Sequence, residues 1–464
     1  MEAVTGNRPH VLAVPLPAQG HVKPLMSLCR QIAKHGIKVT FVNAQSIHDK
    51  IVSASAEEDD DSNDSIVMAT VPDGLTLEDD PESSHTLFET LPKTMPQTLK
   101  ELIERINSSN PNERVTCLIA DLSFSCIFDV ADKMGVEPVG FSPLSAACLA
   151  MLIHALKMLE QGYLDTNGSL KNVDEICVSD YILSWRKDEL PWRVYSDLKA
   201  QKVFFELVKG YKEASKAKWW LCNTCYELEP AAAEFLPNAF PIGPLNLLDS
   251  INPVSSLRSA NFYSEDSSCL SWLDSKPDGS VVYISFGSFA VLSQQQLDEL
   301  ALGLELSGRP FLWVVRPDLA NGSRVVYPDG FLERVSGLGE MVGWVPQNRV
   351  ISHPSIACFL SHCGWNSIME GMSRGVPFLC WSCFSEQSHN KRYICDVWEN
   401  GLKIDFDEKG IRSRHEIKKK ISMMFCDNKF KENAVKLKEM CCKSIGEGGL
   451  SYKNLEKFID HLRR

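Results

Sequence analysis

The stretch Ser361–Pro377, SHCGWNSIMEGMSRGVP, places a histidine, an asparagine and a serine around Gly364, just ahead of a helix-like run that closes on Gly375. Such a cluster suits an anion. A helix N-terminus presents N–H groups and a partial positive charge, and Gly364 lets a ligand come close to the backbone. His362, Asn366 and Ser367 add side-chain donors. A diphosphate could be held there without a metal or a lysine. The same residues would serve equally to cap the helix, with Trp365 packed beneath it. The dinucleotide pattern G-x-G-x-x-G is absent after both early apolar strands, as is the G-x-x-x-x-G-K-[ST] phosphate loop, which argues against NAD enzymes and P-loop NTPases. An acidic run containing Asp59, Asp60 and Asp61 has the spacing of a metal–nucleotide site, but its Ser, Asn and Glu neighbours read as a solvated loop.

The loop needs elements to position it. SIACFLSHCGWNSIMEGMSRGVPFLCW reads as strand, loop, helix and strand. In an open α/β sheet, ligands bind at the carboxyl ends of the strands. Two further segments share an order of apolar strand, loop, helix and apolar strand: His10–Ala44, with a helix stop at Gly36, and Ser280–Pro317. In the second, Ser293 and Gln296 form a capping box and Gly308 closes the helix. Continuous apolar strands alternating with helices mean parallel sheets covered on both faces. The fold expected is α/β, with two Rossmann-like doubly wound domains. The Pro-, Ser- and Asn-rich segment 246–266 reads as the linker between domains at 1–245 and 267–450. The C-terminal segment 451–464 carries Leu455, Phe458, Ile459 and Leu462 on one helical stripe that must be buried against something.

The chain has 464 residues, 44% hydrophobic and 23% charged, which is ordinary globular composition. A net charge of −12 argues against a nucleic-acid partner. No apolar run is long enough to span a membrane, and the N-terminal apolar run is too short and proline-broken for a signal peptide. Sixteen cysteines in so long a chain are expected to be reduced cytoplasmic thiols. The pairs Cys222/Cys225 and Cys380/Cys383 lie in or beside strands. Residues an odd number apart on a strand point to opposite faces, so zinc is not expected there.

Context resolves the open reading of the glycine loop. Trp344–Gln387, WVPQNRVISHPSIACFLSHCGWNSIMEGMSRGVPFLCWSCFSEQ, resembles the signature box of plant UDP-dependent glycosyltransferases that act on small molecules. PLPAQGHVKPL near the N-terminus, CLIAD at Cys117–Asp121, YELEP at Tyr226–Pro230 and CLSWLDSKPDGSVVYISFGS at Cys269–Ser288 resemble that family too, in family order and across essentially the whole chain. The resemblance implies the GT-B architecture: two Rossmann-like domains facing across a cleft, acceptor on the first, UDP-sugar on the second, and the last helix returning to the first. Carried over by position, it implies that Trp344 stacks on uracil, the Val345 backbone and Gln347 hold base and ribose, and Glu370 accepts from the ribose hydroxyls. Ser288, His362, Asn366 and Ser367 would grip the diphosphate, and Trp365, Glu386 and Gln387 would meet the sugar hydroxyls. Ser382 and Cys383 stand where the family usually has proline and an aromatic, and Glu386 where aspartate is commoner.

Transfer then needs a base for the acceptor proton and a sink for charge on departing UDP. His21, in AQGHVKP, is the base candidate. Asp121, at a strand's carboxyl end, would bond the far ring nitrogen, orient it and stabilise the imidazolium. The helix start beside His362 is the charge sink. The expectation is a monomeric, inverting, metal- and cofactor-free transferase taking UDP-glucose, as a co-substrate, and a small lipophilic acceptor.

Overall fold

The computed structural model describes residues 9–54, 66–75, 84–171, 173–193, 198–251, 261–320 and 324–464. Asp59–Asp61 and the middle of the segment read as linker lie outside the described residues. The chain divides into two compact units, Met1–Tyr263 with Lys443–Arg464, and Ser264–Cys442. The first division falls inside the 246–266 segment, part of which is helical (Leu245–Ile251); the second falls inside the helix Lys429–Ile445, ahead of residue 451.

The first unit carries strands β1 (His10–Val14), β2 (Lys38–Ala44), β3 (Ile66–Val71), β4 (Cys117–Asp121) and β5 (Glu137–Ser142). The short β6 (Glu175–Ile176) and β7 (Trp185–Arg186) pair antiparallel with each other, and β8 (Trp220–Cys222) and β9 (Ala239–Pro241) complete the main sheet. The seven-stranded sheet runs β3-β2-β1-β4-β5-β8-β9, all parallel. Every residue of β1 and β4 is buried, as continuous apolar runs covered on both faces require. The sheet grows outward from β1 in one direction through β2 and β3, and in the other through β4. The gap between β1 and β4 is therefore its topological switch point. The helix Gln19–Lys34 follows β1 at once and buries Val22, Leu25, Met26 and Ile32; Gly36, at φ +77°, turns the chain into β2.

The final helix, Leu450–Leu462, buries Leu455, Phe458, Ile459 and Leu462. Phe458 packs edge-on against Trp219 at 5.4 Å between centroids, Asn454 donates to the Pro241 carbonyl, and His461 meets Glu137 at 2.8 Å. Full burial of such side chains is worth about 1.5–3 kcal/mol each before conformational costs, so the apolar stripe, rather than its ion pair, holds this helix.

The second unit repeats the plan. Strands β10 (Val281–Ser285), β11 (Phe311–Val314), β12 (Gly339–Val342), β13 (Ile356–Ser361), β14 (Phe378–Cys380) and β15 (Gly401–Lys403) form a parallel sheet in the order β12-β11-β10-β13-β14-β15. Its switch point lies between β10 and β13, whose last residues Ser285 and Ser361 are register partners. Ser293 caps the helix Gln294–Ser307 by accepting from the Gln296 N–H, and Gly308 ends it at φ +63°. The Gln296 side chain does not return to the cap. It exchanges two hydrogen bonds with the Arg412 backbone, of 2.9 and 3.0 Å, because both groups are buried there and need partners.

All sixteen cysteines are free thiols. Strand β8 ends at Cys222, short of the expected strand, so Cys225 stands on the following turn. Cys380 meets the sulfurs of Cys363 and of Cys395, the latter at 3.8 Å. No described helix is long and apolar enough to cross a membrane.

Candidate active site

At the switch point of the first unit, the loop after β1 delivers His21 in the first turn of its helix, and β4 ends on Asp121. His21 Nδ1 lies 2.6 Å from Asp121 Oδ2. The pairing of β1 with β4, which sets Val14 against Ala120, brings the two together. The carboxylate is 1% exposed and the imidazole 18%. Asp121 Oδ1 accepts from the Ser123 N–H at 2.9 Å, and the Ser123 hydroxyl meets Tyr211 Oη at 3.0 Å. Burial, then the charge of Asp121, raises the Tyr211 phenol well above its ordinary range, so it stays a neutral hydroxyl. Asp121 is thereby locked in one rotamer. An ionised Asp121 can only accept; against it Nδ1 would be the donor of the pair, and a neutral ring would present a lone pair at Nε2. That tautomer is the one a general base needs.

At the second switch point, the turn after β10 and the loop after β13 converge on His362. A Cβ placed on Gly287 would sit 2.7 Å from the His362 ring, and one on Gly364 2.4 Å from its Nε2. The imidazole is thus sandwiched between two glycines that the chain can supply with nothing larger. Burial, then the charge of Arg316, depresses its pKa to about 4, so at neutral pH His362 is an uncharged ring. Cys363 adopts φ +67°, a conformation costing a non-glycine residue roughly 1–2 kcal/mol. It is held there by Ser361 Oγ, which accepts from its N–H at 3.1 Å, and by Asn390 Nδ2, which donates to its carbonyl at 3.1 Å. This bend starts the helix Trp365–Arg374 directly beside His362, with Asn366 and Ser367 in its first turn and Gly375 closing it at φ +73°. Ser288 lies in the turn after β10, next to Gly287 in the chain.

Four further residues form a polar chain. Gln347 opens the helix Gln347–Ile351; its Oε1 accepts from Tyr283 Oη at 2.8 Å, and its Nε2 donates to Ser367 Oγ at 3.2 Å and to Glu370 Oε2. Gln347, Ser367 and Glu370 are thus brought together, with Tyr283, which the sequence reading missed, as their buried anchor. The Trp344 ring, partly exposed, and buried Val345 lead into this helix, and the Trp344 carbonyl accepts from the Asp266 N–H at 2.9 Å.

Trp365 and Gln387 are both buried and engaged within the second unit. The Trp365 side chain is buried and packs 6.4 Å from Trp398. Gln387 is buried, and its Oε1 already accepts from the Cys383 and Phe384 N–H groups at 3.0 and 3.2 Å. An unpaired N–H in that tight loop would be costly, so the amide nitrogen is the group left for a hydroxyl. Glu386, partly exposed, precedes it as the helix N-cap. Ser382 is buried, bonded to Ser388 Oγ and Lys391 Nζ, and burial pushes the Cys383 thiol up to about 12.

Known proteins resemble this chain in sequence and fold. The family model described as UDP-glucoronosyl and UDP-glucosyl transferase matches residues 43–442. UDP-glycosyltransferase 83A1 of Arabidopsis thaliana is 38% identical, with 98% of this chain and 97% of that one covered. Linamarin synthase 1 of Manihot esculenta is 32% identical over 97% and 96% of the two chains. Among solved structures, a UDP-glucosyltransferase from Polygonum tinctorium capable of glucosylating indoxyl, in complex with 3,4-dichloroaniline, superposes with a TM-score of 0.80 at 28% identity, covering 98% and 99%. The chain therefore belongs to the UDP-glucoronosyl and UDP-glucosyl transferase family and is a UDP-glycosyltransferase of the GT-B fold class.

Proposed function

We propose that this glycosyltransferase moves glucose from UDP-glucose, with inversion, to a nucleophilic group, usually a hydroxyl, of a small lipophilic acceptor such as a flavonoid, phenol, terpenoid or hormone. It acts in the cytoplasm as a monomer, without a metal or cofactor. The observation that carries the reading is the 2.6 Å contact between His21 Nδ1 and the buried Asp121 carboxylate. In one displacement, Nε2 takes the acceptor's proton, the acceptor oxygen bonds to the anomeric carbon, and the bond from that carbon to UDP breaks. The electron pair leaves on the diphosphate, where His362, Ser288 and the helix start at Trp365–Ser367 receive it. The proton passes to solvent, and an α-linked donor gives a β-glycoside. The names of the relatives, for glucosyl transfer and for small-molecule products, support this class of donor and acceptor. The test is an acceptor screen with UDP-glucose read by mass spectrometry; no glucoside from any phenolic, terpenoid or hormone acceptor would overturn the reading.

Two expectations follow from the donor groups. Turnover should survive EDTA, because imidazole, hydroxyl and helix N–H groups bind a diphosphate directly; loss of activity that magnesium or manganese restores would contradict this. UDP-glucose should be preferred to UDP-galactose and UDP-glucuronate. An axial hydroxyl would leave the buried Gln387 amide nitrogen poorly paired, at roughly 1–3 kcal/mol, and Glu386 would repel a uronate carboxylate. The ratio of specificity constants with one fixed acceptor decides it, and a ratio favouring either rival donor removes Gln387 and Glu386 as the determinants.

A further inference from the structure

We propose that Arg316 is a positioning residue for the leaving diphosphate, clamping the turn that carries Ser288 against His362. The inference rests on the reading of that turn and the loop after β13 as the diphosphate site. Arg316 follows β11, the neighbour of β10, and is 2% exposed. Its guanidinium donates through Nη1 to the Gly287 carbonyl, through Nη2 to the Ala290 carbonyl, and through Nε to Asp318 Oδ1 at 2.7 Å. The two carbonyls bracket Ser288. Only a planar fork with several donors can hold both at once; a lysine ammonium is a point charge on a flexible stem.

Charge makes the clamp more than a brace. A buried guanidinium is costly unless it is paired, yet its carboxylate partner Asp318 is 49% exposed and so heavily screened by water. The other two acceptors are neutral carbonyls. A positive charge therefore remains bound to the carbonyl of Gly287, the glycine whose Cβ position faces the His362 ring. Burial is the main cause of the depressed protonation of His362, and the charge of Arg316 adds to it. A fixed positive charge at that position would stabilise a dianion held beside His362, in the preorganised manner of an oxyanion site.

The test compares UDP with uridine, which lacks the diphosphate, as ligands of the full-length parent, R316M and R316K, each checked for folding by circular dichroism and melting. R316M should weaken UDP by roughly tenfold or more and lower kcat/KM for UDP-glucose by roughly 10²-fold, while uridine affinity and the acceptor KM stay within about twofold of the parent. R316K keeps the charge but not the two-carbonyl grip, and should fall between. If a folded variant binds UDP like the parent, or loses UDP and uridine in equal proportion, Arg316 is a structural brace and the proposal is overturned; R316K decides should R316M fail to fold. If the parent itself does not bind UDP, the reading of the site fails rather than the role of Arg316.

Discussion

Replacing His21 with alanine should lower glycosyl transfer to a hydroxyl acceptor by roughly 10²- to 10⁴-fold, the usual worth of a positioned base, while UDP binds as it does to the parent. The separation follows from where the groups sit. His21 and Asp121 belong to the first unit, and the groups assigned to UDP all belong to the second. Without the imidazole nothing at that position accepts the acceptor's proton. Asp121→Asn should also be slow with UDP affinity unchanged. An asparagine oxygen could still accept from Nδ1–H, but its amide NH₂ could equally donate to Nδ1, moving the proton to Nε2 and removing the base, and the negative charge that stabilises the imidazolium is lost in either case. Initial rates with a weakly acidic acceptor, beside calorimetry with UDP, check both. Near-parental turnover in His21→Ala would remove His21 as the base. An acceptor that ionises unaided should partly escape the defect, which distinguishes a lost base from a lost binding surface.

Adding one methyl group at Gly364 or at Gly287 should disable the second unit almost as thoroughly. At Gly364 the new Cβ would stand 2.4 Å from His362 Nε2, far inside contact distance, so the imidazole must leave the place where the proposed mechanism uses it. At Gly287 it would meet the ring at 2.7 Å, and the residue would also be held at φ +67°, costing alanine roughly 1–2 kcal/mol. Loss of one preorganised donor to developing charge typically costs roughly 10²- to 10³-fold in turnover. Each variant should therefore fall by that much in kcat/KM for UDP-glucose, with weaker UDP binding. Gly287→Ala should in addition melt at a lower temperature than Gly364→Ala, whose backbone lies at φ −66° and carries no such conformational penalty. The contrasting substitution is Gly308→Ala. It also sits at positive φ, yet has open space where its Cβ would go, so it should lower stability without touching kinetics. Parental kinetics in Gly364→Ala would show that the position of His362 does not govern the donor site.

Sequence alone determined the layers of this protein. Strands buried on both faces must be written as unbroken apolar runs, so HVLAV, CLIAD, VVYIS and IACFLS identify themselves, and the glycines at helix ends mark where each helix must turn. It also offered an anion site, because a helix start crowded with His, Asn and Ser around a glycine suits an anion, although the same residues read equally as a cap until the 44-residue stretch Trp344–Gln387 gave them a context. What it could not contain is which loops meet. His21 and Asp121 lie a hundred positions apart and become partners only because β1 and β4 are neighbours at a switch point. Tyr283 and Arg316 escaped notice for the same reason. One is a strand residue within an apolar run, the other an ordinary arginine after a strand, and each acquires its role from a partner on another element, Gln347 for the first and the Gly287–Ala290 turn for the second. Trp365 and Gln387 show the converse. The Trp365 indole packs near Trp398, and the Gln387 amide oxygen accepts from the Cys383 and Phe384 N–H groups, contacts that no residue type announces. Hydrophobic pattern is local and can be read along the chain. Hydrogen-bond saturation of buried groups is a condition on the whole fold, and only the tertiary structure decides which side chains are left over for a ligand.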